Sequence, residues 1–319
     1  MEASTLHYSL STRPSLQRLT SNRSFPSLSH SRFSVSFKAP HLCCRSTRGA
    51  CSTRFRRKIS CVMAEKQVAP GKGKLLVFDG EEELSVSLAK YTADLSEKFT
   101  RERGAFTVVL SGGSLIKSLR KLVEAPYAES IEWSKWHVFW VDERVVPKDH
   151  EDSNYKLAYD GFLSKVPILP GHVYAINDAL PAEGAADDYE TCLKQLVKTS
   201  VIDTSATGWP KFDLMLLGMG PDGHVASLFP GHPLIHEKER WVTFIKDSPK
   251  PPPERITFTF PVINASANIA LVITGEGKAG PVSKALGSDQ SPITLPIQMV
   301  STEDGETTWF TDKAAASKL

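Results

Sequence analysis

The stretch FDLMLLGMGPDGHVASLFP, residues 212–230, decides the fold of this chain. Its first part, residues 212–217, is an apolar run with the length of a buried strand. Residues 218–223 then bring three glycines and a proline, which end the strand and do not continue as a helix. His224 and Ser227 follow directly. A buried strand that ends in a glycine turn with Asp and His is typical of active sites in open α/β sheets.

Elsewhere, short apolar runs alternate with segments in which apolar residues recur at helical spacing. The predicted strands are 74–78, 106–110, 136–141, 173–176, 212–217, 241–245, 255–261, 268–273, 297–301 and 307–310. The predicted helices are 81–103, a segment after residue 114, 154–163, 182–199 and 278–286. The alternation predicts an α/β fold of the Rossmann-like type, with a doubly wound, mainly parallel open sheet and helices on both faces. Polar and apolar residues alternate over 255–261, which predicts a half-buried strand.

Residues 1–64 differ in composition from the rest of the chain. They hold eleven of the 38 basic residues but one of the 36 acidic residues, and serine is over-represented. Such an N-terminus, without a long apolar segment, is typical of an organelle transit peptide rather than a secretory signal. The serine content favours a plastid over a mitochondrion, and we expect processing near residues 61–64. We predict a disordered transit peptide over 1–64 and a single α/β domain over 65–319.

The composition of residues 65–319 excludes several classes of protein. This part carries 27 basic and 35 acidic residues, a net charge of about −8, so its charge does not indicate a nucleic-acid partner. Cys192 is its single cysteine, which excludes a disulfide framework and a cysteine zinc site. No apolar run reaches 18 residues, so we predict no membrane span. No HExxH pattern occurs, and we expect no metal site at His224.

Four of the predicted strands end in polar or glycine-rich turns, at residues 111–114, 142–144, 220–224 and 274–278. In a parallel sheet the carboxyl ends of the strands lie at one edge. We therefore expect the four turns to face one crevice, which is where open α/β sheets bind their ligands.

Three of these turns together predict a phosphate site. The turn Ser111-Gly112-Gly113-Ser114 leads into a helix, so that backbone N–H groups and the helix end could approach an anion. Arg144 and Lys278, at two other turns, would add two cations. Taken singly, each feature has a plainer reading: a tight turn, an arginine neutralised by its neighbouring carboxylates, and an exposed lysine.

His224 is the candidate general base, because a free imidazole titrates near neutral pH. Asp222 or Asp142 would orient it, and the sequence leaves that choice open. A helix-capping histidine is the alternative. Ser227 as a nucleophile is less favoured, because no G-x-S-x-G pattern surrounds it. A base that acts on water is the preferred hypothesis.

At these residues the sequence resembles the 6-phosphogluconolactonase family, in a plant organellar form. The family belongs to a larger group that includes glucosamine-6-phosphate deaminase. The similar stretches are LSGGS (110–114), VDERVVP (141–147) with SNY (153–155), LGMGPDGHVASLFP (217–230), PPPERITFTFPVINAS (251–266) and ITGEGKA (273–279). They span about residues 75–310. The GPDGHxASLFP run is specific to the family, whereas the glycine turn alone is not.

The resemblance implies hydrolysis of 6-phospho-D-glucono-1,5-lactone to 6-phospho-D-gluconate in the oxidative pentose phosphate pathway, without a metal or an organic cofactor. It makes His224 the general base, with Asp222 and Asp142 as helpers. The residues that it assigns to substrate and phosphate binding are Arg144, Lys278, Gly112, Gly113, Ser114 and, with a carboxylate pair as its alternative role, Arg255. The expected partner is a small sugar-phosphate lactone, with neither nucleic acid nor membrane. Glucose-6-phosphate dehydrogenase would be a functional neighbour, and we expect a monomer or a weak dimer.

Two other functions stay open at this point. Deaminases of the larger group carry Asn-Glu-Pro soon after DGH and Asp-Glu-Tyr at the strand end. This chain instead has Phe229 before Pro230, and Asp-Glu-Arg over 142–144, and both departures favour a lactonase. The second alternative is a sugar-phosphate-binding protein without activity, in which the base would have been lost, whereas His224 is intact.

The last three residues, Ser317-Lys318-Leu319, match a peroxisomal address. We therefore expect delivery to plastids through residues 1–64 and, in addition, delivery to peroxisomes through residues 317–319.

Overall fold

The computed structural model describes residues 64–67, 72–287 and 294–319. The predicted transit peptide lies outside these residues, except for Ala64. The strands are β1 Ala64–Gln67, β2 Lys74–Phe78, β3 Phe106–Leu110, β4 Trp136–Trp140, β5 Asp142–Arg144, β6 Asp203–Thr204, β7 Pro210–Lys211, β8 Leu214–Leu217, β9 Val242–Ile245, β10 Arg255–Phe258, β11 Asn268–Ile273 and β12 Glu306–Asp312. The α-helices are α1 Glu81–Arg103, α2 Ser114–Ser118, α3 Tyr127–Ser130, α4 Asn154–Gly161, α5 Ala182–Lys198, α6 Phe260–Asn264 and α7 Ala279–Leu286.

Seven strands form the main sheet, in the order β1-β2-β12-β11-β8-β3-β4. Strand β1 pairs antiparallel with β2 at one edge, and the other five pairings are parallel. Val109 of β3, for example, lies between Met215 of β8 and Phe139 of β4. The predicted doubly wound, mainly parallel open sheet is confirmed.

Both faces of the main sheet are covered, as the continuous apolar strands require. Successive side chains of a strand point to opposite faces. In β8, Leu214 and Leu216 therefore join a core with α1, α2 and α4, while Met215 and Leu217 join a core with α5, α6 and α7. All four side chains are buried. The predicted helices on both faces are confirmed.

Helix α1 shows how local sequence sets the element boundaries. It begins with three glutamates, residues 81–83, whose charges favour the positive end of the helix dipole. It ends at Gly104, which has a φ of 75° and donates its N–H to the Thr100 carbonyl. Only glycine adopts this left-handed conformation without steric cost, so the helix stops where predicted.

The four turns singled out in the sequence follow four neighbouring strands, β11, β8, β3 and β4. The chain runs from β3 outward to β4 and then crosses back to β8 on the other side of β3. A crevice therefore opens between the carboxyl ends of β3 and β8, at the point where the strand order reverses.

A second, antiparallel sheet has the order β5-β10-β9. Residues 142–144, predicted as a turn, are one of its strands, and Arg255 of β10 pairs with Arg144 of β5. The predicted half-burial of β10 is wrong, because all its side chains are buried between the cleft and α5. The second sheet thus brings Arg255, which is distant in sequence, beside Arg144.

Two predicted strands are wrong. Residues 173–176 make one bridge, between Val173 and Val138, and the Tyr174 carbonyl then accepts a hydrogen bond from the Tyr189 hydroxyl instead of continuing a ladder. Residues 296–299 form a 3-10 turn. Pro296 has no N–H for a ladder, and Gln298 caps the turn by accepting from the backbone of Leu295.

Within the described residues, no helix combines the length and the apolar character needed to cross a bilayer. The same part of the chain contains no group of three or more His, Cys, Asp or Glu side chains that could hold a metal ion.

Candidate active site

A cleft of about 150 Å³ opens at the carboxyl ends of the four neighbouring strands. Eight of the nine predicted site residues line it, namely Gly112, Gly113, Ser114, Asp142, Arg144, His224, Arg255 and Lys278. A larger groove of about 750 Å³ runs along α4 and contains none of them. Its two lysines, Lys148 and Lys156, already pair with carboxylates, so the smaller cleft is the one that offers free positive charge.

The ninth predicted residue, Asp222, holds the imidazole of His224. Asp222 Oδ1 lies 2.6 Å from His224 Nδ1. A carboxylate only accepts hydrogen bonds, so Nδ1 carries the proton and Nε2 is the nitrogen that is free to take one. The geometry therefore selects Asp222 over Asp142 as the carboxylate that contacts the histidine.

The surroundings of His224 keep its imidazole neutral. Burial lowers the pKa of His224 below its ordinary 6.5, and this outweighs the opposing effect of Asp222. The Phe229 ring, 4.7 Å away between ring centroids, contributes to that burial. Asp222 has a lowered pKa, because hydrogen bonds from His224 and a nearby lysine outweigh the effect of its partial burial. A neutral imidazole beside a carboxylate is ready to act as a base at neutral pH.

Because Gly220 has no side chain, the imidazole of His224 can lie directly against its backbone. A Cβ at this position would lie 2.1 Å from His224 Nδ1 and Cε1, and 2.6 Å from Asp222 Oδ1. Gly223 completes the turn with a φ of 82°. The first glycine is required for close approach and the second for backbone conformation.

Asp142 has a different partner from the one we expected. Its carboxylate accepts a hydrogen bond from Ser227 Oγ at 2.8 Å, and its backbone carbonyl accepts one from Asn154 Nδ2 at 3.0 Å. Ser227 is fully buried, which leaves its hydroxyl without access to a substrate. The structure therefore disfavours the serine nucleophile that the sequence left open.

Glu143, which lies between Asp142 and Arg144 in the sequence, holds the backbone at the edge of the cleft. Its carboxylate accepts hydrogen bonds from the backbone N–H groups of Arg144, Asn154 and Tyr155 at 2.7–2.8 Å. Burial raises the pKa of Glu143 to about 7, while these hydrogen bonds act in the opposite direction. Glu143 thereby ties the start of α4 to β5 and fixes the backbone that carries Arg144.

The cleft contains two buried polar groups that lack a protein partner. Arg144 Nε and Ser111 Oγ have no hydrogen-bond partner among the residues that the structure describes. One terminal nitrogen of Arg144 donates to the Asp152 carbonyl at 2.6 Å, which fixes the guanidinium. Because both residues line the cleft, a polar ligand bound there would satisfy them.

Lys278 adds a cation on the opposite side of the cleft. It follows β11 and precedes α7, as predicted, and no carboxylate of the described residues forms an ion pair with its ammonium group. Burial and then Lys250 lower the pKa of Lys278, while Asp312 raises it. An anion bound between Arg144 and Lys278 would offset both the burial of the Lys278 ammonium group and its repulsion by Lys250.

Comparison with known proteins identifies the family of this chain. The profile of a family described as glucosamine-6-phosphate isomerases/6-phosphogluconolactonase matches residues 79–309. This chain belongs to that family. A relative from Oryza sativa, named probable 6-phosphogluconolactonase 4, chloroplastic, is 74% identical over 248 residues, which is 77% of this chain and 76% of the relative. The Arabidopsis thaliana relative named 6-phosphogluconolactonase 3, chloroplastic, is 64% identical over 84% of this chain and 82% of its own. The crystal structure of 6-phosphogluconolactonase from Thermotoga maritima is 31% identical with a TM-score of 0.63, and the match covers 75% of this chain and 99% of that one.

In this member of the family, Arg255 is placed differently from the other predicted cations. Its Nε and one terminal nitrogen donate to the backbone carbonyls of Lys250, Pro251 and Pro252 at 2.9–3.0 Å. Its remaining nitrogen lies 3.5 Å from Ser227 Oγ. The partners are carbonyls rather than the carboxylate that we considered, and Arg255 mainly anchors the loop before β10.

Three residues of the site are not predicted by the sequence. Asn154 lies in a stretch that resembles the family, and Ser111 belongs to the glycine turn, but no pattern gives either side chain a role of its own. Lys250 directly precedes the PPPER stretch. Its Nζ lies 3.0 Å from Asp222 Oδ1. A lysine next to a proline run carries no signal by itself, because its position depends on how the loop folds back.

Proposed function

We propose that this chain hydrolyses 6-phospho-D-glucono-1,5-lactone to 6-phospho-D-gluconate, with His224 as the general base. The observation that carries this proposal is the imidazole held through Nδ1 by Asp222, at the wall of a cleft with two cations. A lactone is an activated ester, so an oriented water molecule and one base are sufficient. The family membership and the plant relatives support the same reaction.

The cations define where the phosphate would bind. Arg144 Nε and Ser111 Oγ are buried donors without a partner among the described residues, and Lys278 supplies a second charge. The turn at Gly112 and Gly113 exposes backbone to the same cleft. A phosphate dianion would satisfy these donors, and its binding energy would hold the lactone ring in position for attack.

The reaction then proceeds by addition and ring opening. His224 Nε2 removes a proton from water as the water oxygen bonds to the lactone carbonyl carbon. The carbonyl oxygen becomes negatively charged, next to the positive groups of the cleft. The bond from the carbonyl carbon to the ring oxygen breaks, and the imidazolium returns its proton to that oxygen. Asp222 stabilises the imidazolium between the two steps.

Phe229 argues against amino-sugar chemistry in this cleft. It is 2% exposed, and its ring packs on the imidazole of His224. The similar position in the deaminases carries the glutamate that assists their histidine, according to the resemblance in the sequence. A buried phenyl ring offers no proton to an opening sugar ring, whereas water attack on a lactone needs none from that side.

The test is the loss of lactone above its spontaneous rate. The substrate is made from glucose 6-phosphate by glucose-6-phosphate dehydrogenase, and the purified protein is added. We expect acceleration by wild type and a loss of about 100-fold or more in His224→Ala, as removal of a general base causes. His236→Ala, which changes an exposed histidine, is the matched control and should keep full activity. No acceleration by wild type refutes the function, and full activity of His224→Ala refutes the assignment of the base.

The phosphate assignment has its own test. Unphosphorylated glucono-1,5-lactone is compared with the phosphorylated substrate in wild type and in Arg144→Ala. We expect wild type to favour the phosphorylated lactone strongly and the variant to lose most of that preference. Equal preference in both proteins would show that Arg144 does not bind the phosphate.

We further propose delivery to the plastid stroma through residues 1–64, which is supported by their composition and by chloroplastic relatives. A fluorescent protein fused behind residues 1–64 should enter plastids, and a diffuse signal would contradict this. Delivery to peroxisomes stays a prediction. A reporter that ends in residues 317–319 but lacks the leader should become punctate, and a cytosolic signal would contradict it.

A further inference from the structure

Lys250 lies against the pair formed by Asp222 and His224. Its Nζ is 3.0 Å from Asp222 Oδ1 and 3.2 Å from His224 Nδ1. The same carboxylate oxygen thus receives both the lysine and the imidazole. The three groups form a compact triad of one anion, one cation and one neutral ring.

Hydrogen bonds from Arg255 and Ser248 fix the loop that carries Lys250. The Arg255 guanidinium, which belongs to a residue 3% exposed, donates to the Lys250 carbonyl at 2.9 Å and to two following carbonyls. Ser248 Oγ donates to the same carbonyl at 2.9 Å. These four hydrogen bonds hold the loop, so the ammonium group is directed at Asp222 by the fold.

The chemistry of the three groups determines which contact is a hydrogen bond. An ammonium group has donors only, and a carboxylate accepts only. Asp222 Oδ1 therefore accepts from both neighbours, and His224 Nδ1 carries the proton that points at Asp222. The contact of 3.2 Å between Lys250 and His224 is then a repulsion between the ammonium charge and any positive charge on the ring.

The balance of charges around His224 involves few groups. Asp222 and, at longer range, Asp142 favour the protonated ring, and Lys250 opposes them. Phe229 packs on the ring and carries no charge. Burial keeps the ring neutral, and Lys250 adds to that effect. Without Lys250, the carboxylate at 2.6 Å would meet less opposition, and the ring would take up a proton at a higher pH.

We propose that Lys250 is a positioning residue, which bridges to Asp222 and opposes a second proton on the imidazole that Asp222 holds, so that Nε2 is available as the base. This inference deepens the proposed function, since it concerns the same histidine. Lys250 would not contact the reacting atoms. Its effect on the reaction would pass through the imidazole.

The experiment compares Lys250→Met, Lys250→Arg and the control Lys246→Met. Lys246 precedes the same loop but is half-exposed and 3.9 Å from its nearest carboxylate, so the control removes the same charge away from the site. Each protein, labelled with ¹⁵N and ¹³C in histidine, is titrated by NMR, and the His224 signals are assigned with His224→Gln. The pH dependence of kcat/KM is measured in parallel.

We expect the midpoint of the His224 titration in Lys250→Met to rise by about one pH unit, as for removal of a charge within ~4–6 Å. The acidic limb of kcat/KM should rise by the same amount, while Lys246→Met leaves both unchanged. Lys250→Arg, which keeps the charge, should restore most of the wild-type midpoint. A Lys250→Met midpoint equal to that of wild type would overturn the proposal, and so would an equal rise in Lys246→Met. Because the NMR titration requires no turnover, an inactive wild type would refute the proposed function while still testing Lys250.

Discussion

The substitution Gly220→Ala isolates the close approach between the turn and the imidazole. The added Cβ would lie 2.1 Å from His224 Nδ1 and Cε1, whereas ordinary contact begins near 3.4 Å. The ring must therefore move by more than 1 Å. Gly220 does not have a positive φ, so alanine fits its backbone conformation and the effect is steric.

The expected cost follows from that displacement. A base that is misplaced by about 1 Å loses on the order of 100-fold in rate. We therefore expect kcat/KM of Gly220→Ala to fall about 100-fold, which corresponds to ~2.7 kcal/mol. The KM should change little, because Arg144 and Lys278 lie elsewhere in the cleft.

The assay follows phosphogluconate formation from freshly generated lactone, corrected for the spontaneous reaction. Thermal unfolding of each protein shows whether the variant is folded. Gly280→Ala is the matched control, because its Cβ would meet nothing within 4 Å, and it should retain full activity. A folded Gly220→Ala enzyme with more than half of the wild-type kcat/KM would refute the steric reasoning and the placement of His224.

Three further predictions address the remaining groups. Asp222→Asn should lower kcat about 100-fold with KM within about twofold, because an amide no longer stabilises the imidazolium, and a kcat within threefold of wild type would contradict this. Arg144→Lys should raise KM about tenfold with kcat nearly unchanged, because a point charge replaces a planar fork; steady-state kinetics that show an unchanged KM would contradict it. Burial, together with His172 and Arg103, lowers the pKa of His137 to about 4, so the native state should lose stability as pH falls from 6.5 towards 4, by about 3 kcal/mol at pH 4. Urea unfolding of His137→Phe at pH 7 and pH 4 should show a smaller loss than wild type, and an equal loss would show that another group is responsible.

Several parts of the fold could be predicted because they depend on local pattern. The helix 81–103 has glutamates at its start, apolar residues at helical spacing and a glycine at its end, and all three signals agree. The strand 268–273 is a continuous apolar run that only a sheet covered on both faces accommodates. Where the pattern was weak, as at 173–176, backbone groups found side-chain partners and no strand formed.

In the candidate site, too, some features follow from the sequence pattern and others do not. Gly112, Arg144, His224 and Lys278 come from the ends of parallel strands, and a parallel sheet must place those ends along one edge. Their association therefore follows from the sequence once the strands are recognised. The assignment of His224 as the base and of Arg144 and Lys278 as phosphate ligands stays a prediction.

The partners within the site depended on tertiary structure. Asp222 and Asp142 are equivalent candidates in the sequence. In the structure, the turn places Asp222 against His224, and the buried Ser227 hydroxyl donates to Asp142. Lys250 reaches His224 across 26 residues of chain, and Arg255 is recruited to hold its loop because β10 pairs with β5. The sequence by itself thus determined which residues stand at the edge of the sheet. Only the packing of a second, antiparallel sheet and its loop decided which charges touch, because contacts of 3 Å depend on register and loop path rather than on periodicity.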